Sequence, residues 1–517
     1  MPLFTRLKPN TYSDSVRLMK ISESIEEIEG VSEGTVGMGT DSNKSLLEEK
    51  DLLSDELRGA DPGDMMIAVR ADDEQTAKKA FETIEETVRG SESSTGSDTG
   101  ERRAPATFER ALDRQKGSNL ALISIPGEYA HIEAQKALNR DMDVLLFSDN
   151  VSVDREVQLK KDARKRDLLL MGPDAGTSMI NGIPLGFAND VQSGSVGLVS
   201  ASGTGLQEIS SLIHRGGAGI TQGIGVGGRD LSGEVGGLMM LQGLDYLTDD
   251  PETDVIVLIS KPPSEDVAER IVERAEEVPE PVIVNFLGLS ETRDSDSLRF
   301  ARTLQDAAEL ALTETLGETF SFDDERFEEK IDEIKSKISE RSEKQKYIRG
   351  LFAGGTLCSE AELLLSEKLD DVYSNVTHEQ SRKLDDPWES QKHSVVDLGS
   401  DAFTQGRAHP MIDPGIRQDR LLEESEDPET AVLLMDIPIG YGAHDDPAGA
   451  LAPGIREARD RVSNNGGELV VLAHVCGTDR DPQDLKKQEE LLQDAGAVVF
   501  ETNAQAARAA VSLFQQL

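Results

Sequence analysis

The stretch SVGLVSASGTGLQE (residues 195–208) decides the fold, and KYIRGLFAGGTLCSEA (346–361) repeats its design. Each runs from a short apolar strand, through a loop of Gly, Ser and Thr, into a helix. A helix entered in this way offers unpaired backbone N–H groups and the positive end of its dipole to an anion. Glycines let the backbone approach a phosphate closely, and the hydroxyls of Ser202, Thr204 and Thr356 add donors. The candidate phosphate-binding residues are therefore Ser202, Gly203, Thr204, Gly205, Gly354, Gly355 and Thr356. One such loop only turns a strand into a helix in many α/β proteins. Two of them, on units of similar layout, favour a protein that handles a phosphorylated or acyl-phosphate species.

Outward from these loops, strands alternate with helices. Strands at 120–125, 144–147 and 168–171 enclose helices at 128–139 and 154–166, and the pattern resumes with strands at 255–260 and 281–286. Further strands follow at 394–398, 431–437, 469–474 and 497–501. This order predicts an α/β chain with several doubly wound parallel sheets. Before them, strands at 3–7, 35–38 and 65–69 with helices at 13–28, 43–53 and 73–88 predict a small α/β unit of ferredoxin-like type. The expected domains are 1–88, 106–190, 191–317 and 346–517. A Gly/Ser-rich linker at 89–105 and a charged helical connector at 318–345 join them. Phe327, Ile331, Ile334 and Ile338 supply the one apolar stripe of that connector.

Ligands of parallel sheets sit beyond the carboxyl ends of the strands. Those ends carry Pro126, Gly127, Ser148, Asp149 and Asn150, and the glycine run at 223–237 adds Gly227, Gly228 and Arg229. These are the candidate substrate-binding residues. Arg229 reads either as a clamp for phosphate or carboxylate, or as the partner of Asp230 or another acid. Arg407 with His409 reads either as an anion site and general acid, or as part of a loop shaped by Pro410 and Pro414.

The remaining histidines divide by context. His131 opens a helix near the ligand edge, His214 lies late in a helix, and His378 and His393 fall in a charged, exposed stretch. His474 and Cys476 share one face of a strand, which permits a nucleophile and base, or a packed thiol. No set of residues has convincing metal spacing, although His444-Asp445-Asp446 would suit a weakly held Mg2+.

The chain has 517 residues, 98 of them acidic and 54 basic, for a net charge of −44. Acidic residues spread along the whole sequence, so self-repulsion is strong at low ionic strength and salt relieves it. A salt-rich cytoplasm, of the kind halophilic archaea maintain, is the simplest setting. The charge argues against nucleic acid as a partner. No apolar run reaches the length of a membrane span, and the stretch MPLFTRLKPN lacks the apolar core of a signal peptide, so a soluble, cytoplasmic protein is expected. The two cysteines, Cys358 and Cys476, cannot build a disulfide framework.

Several long motifs carry a resemblance. They include TYSDSVRLM (11–19), ISIPGEYAHIEAQKAL (123–138), LLFSDNVS (145–152) and MGPDAGTSMINGIPLGFAN (171–189). They continue with SASGTGLQEISSLIHR (200–215), GGRDLSGEVGG (227–237), SKPP (260–263), GGTLCSEAE (354–362), GRAHPMIDP (406–414) and HVCGTDRDPQD (474–484). In this order they resemble the FdrA family, relatives of the succinyl-CoA synthetases. The resemblance implies a Rossmann-like CoA-binding domain at 106–190, with flavodoxin-like ligase domains of α type at 191–317 and β type at 346–517. It implies helix starts that face a phosphohistidine at 200–205 and 354–356, and a glutamate beside that histidine at Glu208. Glu208, Arg407 and His409 are the candidate catalytic residues.

Two departures stand against the synthetase chemistry. The region FLGLSETRDSDSLRFARTL (286–304), where the synthetases carry their phosphorylated histidine, has none, and the nucleotide-grasping domain is missing. Ala175 also stands where close relatives often have cysteine. The resemblance therefore implies direct use of an acyl phosphate, as in oxamate carbamoyltransferase, together with a small carboxylate and other subunits or self-association. CoA and Mg2+ are the cofactors to look for. A CoA-dependent acyl ligase with a separate nucleotide-binding subunit, and a non-catalytic metabolite-binding protein, remain the alternatives.

Overall fold

The computed structural model describes residues 1–514 except 10, 12–17, 19–20, 23–24, 26–27, 29, 62, 94–104, 106, 290–294, 296, 323, 339–341, 378 and 406. The chain forms two compact units. One comprises Met1–Pro105 with Asp401–His409, the other Ala106–Ser400 with Pro410–Leu517.

In the first unit, the strand Met65–Ala71 lies between Leu3–Lys8 and Val31–Met38, antiparallel to both. Successive side chains of a strand point to opposite faces. Met65, Ile67, Val69 and Ala71 accordingly join one apolar cluster, and Met66 and Ala68 join another. The helix Glu74–Ser93 places Ala77, Ala80, Phe81 and Ile84 on the first of these clusters, at helical spacing. The helix expected at 13–28 lies largely outside the described residues, although its Leu18, Ile21 and Ile25 are buried.

The second unit contains three sheets. Leu120–Ile123, Asp143–Leu146 and Leu170–Met171 form a small parallel sheet. A seven-stranded sheet has the order Leu298–Phe300, Val282–Phe286, Val255–Ser260, Ser193–Ser200, Ile220–Gly225, Thr177–Ile180 and Ile183–Gly186. The first five of these strands run parallel, and the closing hairpin adds antiparallel pairs. That hairpin falls within the stretch grouped by sequence with the preceding domain, yet it pairs with the larger sheet. The third sheet is wholly parallel, in the order Val372–Ser374, His393–Asp397, Tyr347–Phe352, Thr430–Pro438, Val470–Cys476 and Val498–Phe500.

Central strands such as Val255–Ser260 and Thr430–Pro438 are buried along their whole length, as expected where helices cover both faces of a parallel sheet. One apolar cluster runs through both larger sheets, from Val196, Val257 and Ile283 to Phe352, Val395 and Leu472. The helix Asn503–Ser512 contributes Ala504, Ala506, Ala507, Ala509 and Ala510 to it, small residues that allow close packing. Polar contacts join the same two lobes. Asn189 donates to Ile439 O (2.9 Å) and to Asp481 Oδ2 (2.8 Å), and the Asp190 N–H donates to Asp481 Oδ1 (2.8 Å). The connector includes the helix Asp324–Ile338, with Ile331 and Ile334 buried and Phe327 packed beside them.

His393 departs from its expected exposure. It sits in a strand, half buried between the rings of Tyr347 and Phe514, and its Nδ1 accepts the Ile348 N–H. Burial, reinforced by Arg349 and opposed by Asp371, pushes its pKa down to about 4. His378 lies outside the described residues.

Candidate functional site

The apolar strand Ser193–Ser200 ends in the loop 201–202, and Ser202 caps the helix Gly203–Arg215 by accepting the Gly205 N–H at 2.9 Å. The strand Tyr347–Phe352 leads likewise into the helix Gly355–Ser366, whose N-cap, Gly354, has no side chain to do the same. Its first turn is completed from the other lobe. Thr204 Oγ1 accepts the Thr356 N–H at 3.2 Å, and the hydroxyls of Ser202 and Thr356 bond to each other. Ser202, Thr204 and Thr356 are all buried. The two helix starts expected from sequence thus meet, linked by three hydroxyls.

The two starts differ in charge. Asp436 accepts the N–H groups of Ala353 (2.8 Å) and Gly354 (2.7 Å) and pairs with Arg417 at 3.1 Å. Burial pushes the Asp436 carboxyl up, while Arg417 and the two amides pull it down. Among the described residues the first helix start holds no such acid, and Ser200 and Ser202 bond within their own loop. Gly354 is needed here: a Cβ on it would lie 2.9 Å from Asp436 Oδ2 and 3.0 Å from the Thr204 methyl.

Glu208, six residues along the helix from Ser202, is about 9 Å deeper by the rise of an α-helix. Its Oε2 lies 2.8 Å from His474 Nε2, and its Oε1 accepts the Asn503 N–H at 3.3 Å. His474 Nδ1 lies 3.2 Å from the Phe500 carbonyl, which can only accept, so Nδ1 carries a proton. Burial favours the neutral acid at Glu208, but His474 and the hydrogen bonds hold its pKa below the ordinary value. Cys476 completes the cluster, its thiol pushed well up by burial and by Glu208. It is therefore a packed thiol and not an activated nucleophile. Among the described residues this is the one compact group of carboxylate, imidazole and thiol, and hydrogen bonds already satisfy it.

Glu360, on the second helix, accepts the Leu304 N–H at 2.6 Å and the Asn503 side-chain N–H at 2.7 Å. Burial, reinforced by Glu208, raises its pKa to about 7. One asparagine therefore binds a carboxylate from each of the paired helices. Glu360 is not recognisable as a site residue by spacing, because it acquires its role across the lobe contact.

Family models match three stretches: CoA-ligase at 351–513, CoA binding domain at 191–287, and the AllF heavy metal-associated domain at 1–105. The uncharacterized protein YahF of Escherichia coli (strain K12) is 44% identical over 496 residues, which is 95% of each chain. The chain belongs to the YahF family. The family stands among the CoA-ligase-like acyl-CoA synthetases. The α subunit of succinate–CoA ligase (ADP-forming) from Methanothermobacter thermautotrophicus is 27% identical over 173 residues, 33% of this chain and 57% of that subunit. Subunit SauD of the ADP-forming sulfoacetate-CoA ligase from Bilophila wadsworthia is 25% identical over 181 residues, 33% of this chain and 59% of that subunit. Among solved structures, ATP citrate lyase from Methanothrix soehngenii with citrate and coenzyme A matches 79% of this chain and 82% of its own at 14% identity and a TM-score of 0.35.

Elsewhere in the YahF-family chain, the predicted substrate residues are engaged within the fold. Arg229 bonds to the Val151 carbonyl (2.7 Å) and pairs with buried Glu156 (2.9 Å), while Asp230 and Glu156 both hold buried Lys160. The plainer reading of Arg229, an ion pair with an acid, is the one realised. Gly227 has φ +86° and packs against Pro173 O, where a Cβ would lie at 2.3 Å, and Gly228 lies near Ala201 O. Pro126 and Gly127 do meet Ser148, Asp149 and Asn150. Ser148 Oγ accepts the Ile125 N–H at 3.0 Å, and a Cβ on Gly127 would lie 2.1 Å from Asp149 O.

The chain's own backbone therefore occupies the space that Gly127 leaves open, and Glu128 adds negative charge in the first turn of that helix. His131 lies aside, lining a cleft of about 330 Å³ with Lys136 and Arg155. His214, as its position suggests, ends its helix, bonded to Asp479 at 2.8 Å.

Arg407 and His409 fall in the first unit. The expected Mg2+ position does not fit. Asp446 accepts from Gln488 (2.8 Å) and lies 3.7 Å from the Lys487 ammonium, and His444 Nδ1 accepts the Asp446 N–H. The family model over the first 105 residues concerns heavy metals, yet those residues include neither Cys nor His. Among the described residues, no helix is long and apolar enough to cross a membrane.

Proposed function

We propose that this chain is an FdrA-type subunit that handles acyl phosphates between the helix starts at Ser202–Gly205 and Gly354–Thr356. One observation carries the reading: two helix dipoles and the hydroxyls of Ser202, Thr204 and Thr356 converge at one point. Backbone N–H groups at such a point stabilise charge that builds on phosphate oxygens.

The transfer that fits is of a carbamoyl group between carbamoyl phosphate and oxamate. The oxamate amide nitrogen bonds to the carbamoyl carbon as the carbon–oxygen bond to phosphate breaks. The amide proton leaves with phosphate, and oxalurate is the product. Binding both reactants side by side supplies much of the acceleration. The Glu208–His474 pair, below the hydroxyls, holds the first helix in register. The setting is a salt-rich cytoplasm, with further subunits or self-association completing the assembly.

A second reading is a CoA-dependent acyl ligase working with a separate nucleotide-binding subunit. The similarity to ligase α subunits and the CoA-binding match at 191–287 favour it. The packed turn at Gly127 and the lack of histidine at 286–304 weigh against it.

The test is phosphate release from carbamoyl phosphate, with and without oxamate, by protein purified with the subunits that accompany it. Oxamate-dependent release supports the transferase. Thioester formation from CoA and nucleotide, without such release, supports the ligase. Phosphate binding without either reaction leaves a metabolite-binding protein.

A further inference from the structure

We propose that the strand Leu120–Ile123 and the helix Gly127–Leu138 form a self-association face, occupied by a second copy of this chain across a two-fold axis.

Leu120–Ile123 is an outer strand of its small sheet and pairs on one side only, with Asp143–Leu146. The carbonyls of Asn119 and Ile123 accept the Asp143 N–H (2.8 Å) and the Phe147 N–H (2.9 Å). Peptide groups alternate in direction along a strand, so those of Leu120 and Leu122 face the open edge. Protected edges commonly carry proline, lysine or an inward-pointing charge. This strand, Leu-Ala-Leu-Ile, has none, whereas Ile183–Gly186 at the edge of the larger sheet carries Pro184. Side chains add to the exposure. Of ten large hydrophobic side chains left exposed among the described residues, four are Leu122 (54%), Ile125, Tyr129 and Ile132. Ala130, Ala134 and Ala137 take the buried side of the helix, which leaves Tyr129 and Ile132 to solvent.

Charge selects the occupant. The whole chain has 98 acidic and 54 basic residues, so two copies repel over most of their surface. Residues 107–140 hold four acidic and five basic residues, and this face is close to neutral. A basic partner would be drawn to the acidic remainder of the surface instead. The charges are also ordered along the strand, with exposed Lys116 before it and exposed Glu128 after it. Antiparallel pairing about an axis through Ala121 sets Leu120 against Leu122 of the second copy, with N–H···O=C bonds in both directions. It brings the Lys116 end of each strand beside the Glu128 end of the other, so opposite charges meet twice. The two copies of the helix then run side by side on one face of the joined sheet. Their separation is about 10 Å, the spacing of packed helices, and each Tyr129 gains a helix to pack against.

Sedimentation of the full chain in potassium chloride, over a range of protein concentration, tests this. Wild type should sediment as a dimer of the 56.1 kDa chain. Leu122→Lys places a charge at an exposed edge position and should raise the dimer Kd about tenfold or more. Its melting profile should match wild type at a dilution where both are monomeric. Lys116→Glu and Glu128→Lys should each weaken the dimer before salt screens the pair, and the double variant should restore it. Hydrogen exchange at the Leu122 amide should slow as the dimer fills. A wild type that stays monomeric at the highest concentration reached would overturn the proposal, as would a dimer indifferent to Leu122→Lys. Protection of Leu122 only in complex with a different subunit would also overturn it and assign the face to that subunit.

Discussion

Glu208 and His474 form a buried contact of 2.8 Å between residues from two different sheets' lobes. It joins the helix Gly203–Arg215 to the strand Val470–Cys476, and the same glutamate receives the N–H of Asn503. The contact lies beneath the paired hydroxyls, so the upper polar layer rests on a lower one.

Glu208→Ala leaves the His474 Nε2 buried without its partner. Loss of one member of a buried pair costs about 3 to 5 kcal/mol, much of it from the stranded group. Urea unfolding should show a loss of that order, and Glu208→Gln should recover part of it by keeping a hydrogen bond.

Thr356→Val keeps the shape of the side chain and removes its hydroxyl. Ser202 Oγ loses that partner but retains the Gly205 N–H. The stability loss should be about 1 kcal/mol. Phosphate affinity should fall several-fold, which calorimetry would detect. Unchanged affinity would remove Thr356 from the site.

Glu360 makes stability depend on pH. Its pKa is about 7 in the folded chain, against 4.5 for an ordinary glutamate. The folded state therefore holds a proton that the unfolded state has released. That contribution is fully present below the ordinary value and is lost as pH rises towards 7 and beyond. Each unit of displacement corresponds to about 1.4 kcal/mol. His393, displaced downwards to about 4, has the opposite slope at lower pH. Unfolding of wild type and Glu360→Gln between pH 5 and 8 separates the two effects: the wild type should lose more stability as pH rises, and parallel profiles would contradict the assignment.

The net charge of −44 predicts a melting temperature that climbs with potassium chloride. Screening length shrinks from roughly 10 Å at 0.1 M to 3 Å at 1 M, which relieves repulsion between surface carboxylates. Calorimetric scans across that range check it. A flat response would mean that the acids are already offset within the fold.

The helix starts at 202–205 and 354–356 are legible in the sequence because glycine and hydroxyl residues follow apolar runs there, a local pattern with a local cause. The shared face of His474 and Cys476 is legible for the same reason, through the two-residue period of a strand. Their partner Glu208 enters the sequence reading only through family resemblance. Arg229 shows the converse. Its place after a glycine run suggests a ligand, but Glu156 and the Val151 carbonyl occupy it. The hairpin at 177–186 follows the small sheet in sequence yet completes a larger one, and strand propensity cannot distinguish which edge will receive it.

Thr204 caps a helix that belongs to the other half of its own unit. In an assembly of separate chains such a cap would come and go with protein concentration. Here both halves are covalently tethered, so the effective concentration of one for the other is fixed by the intervening chain. Dilution cannot separate the two helix starts, and their stoichiometry is one to one by construction.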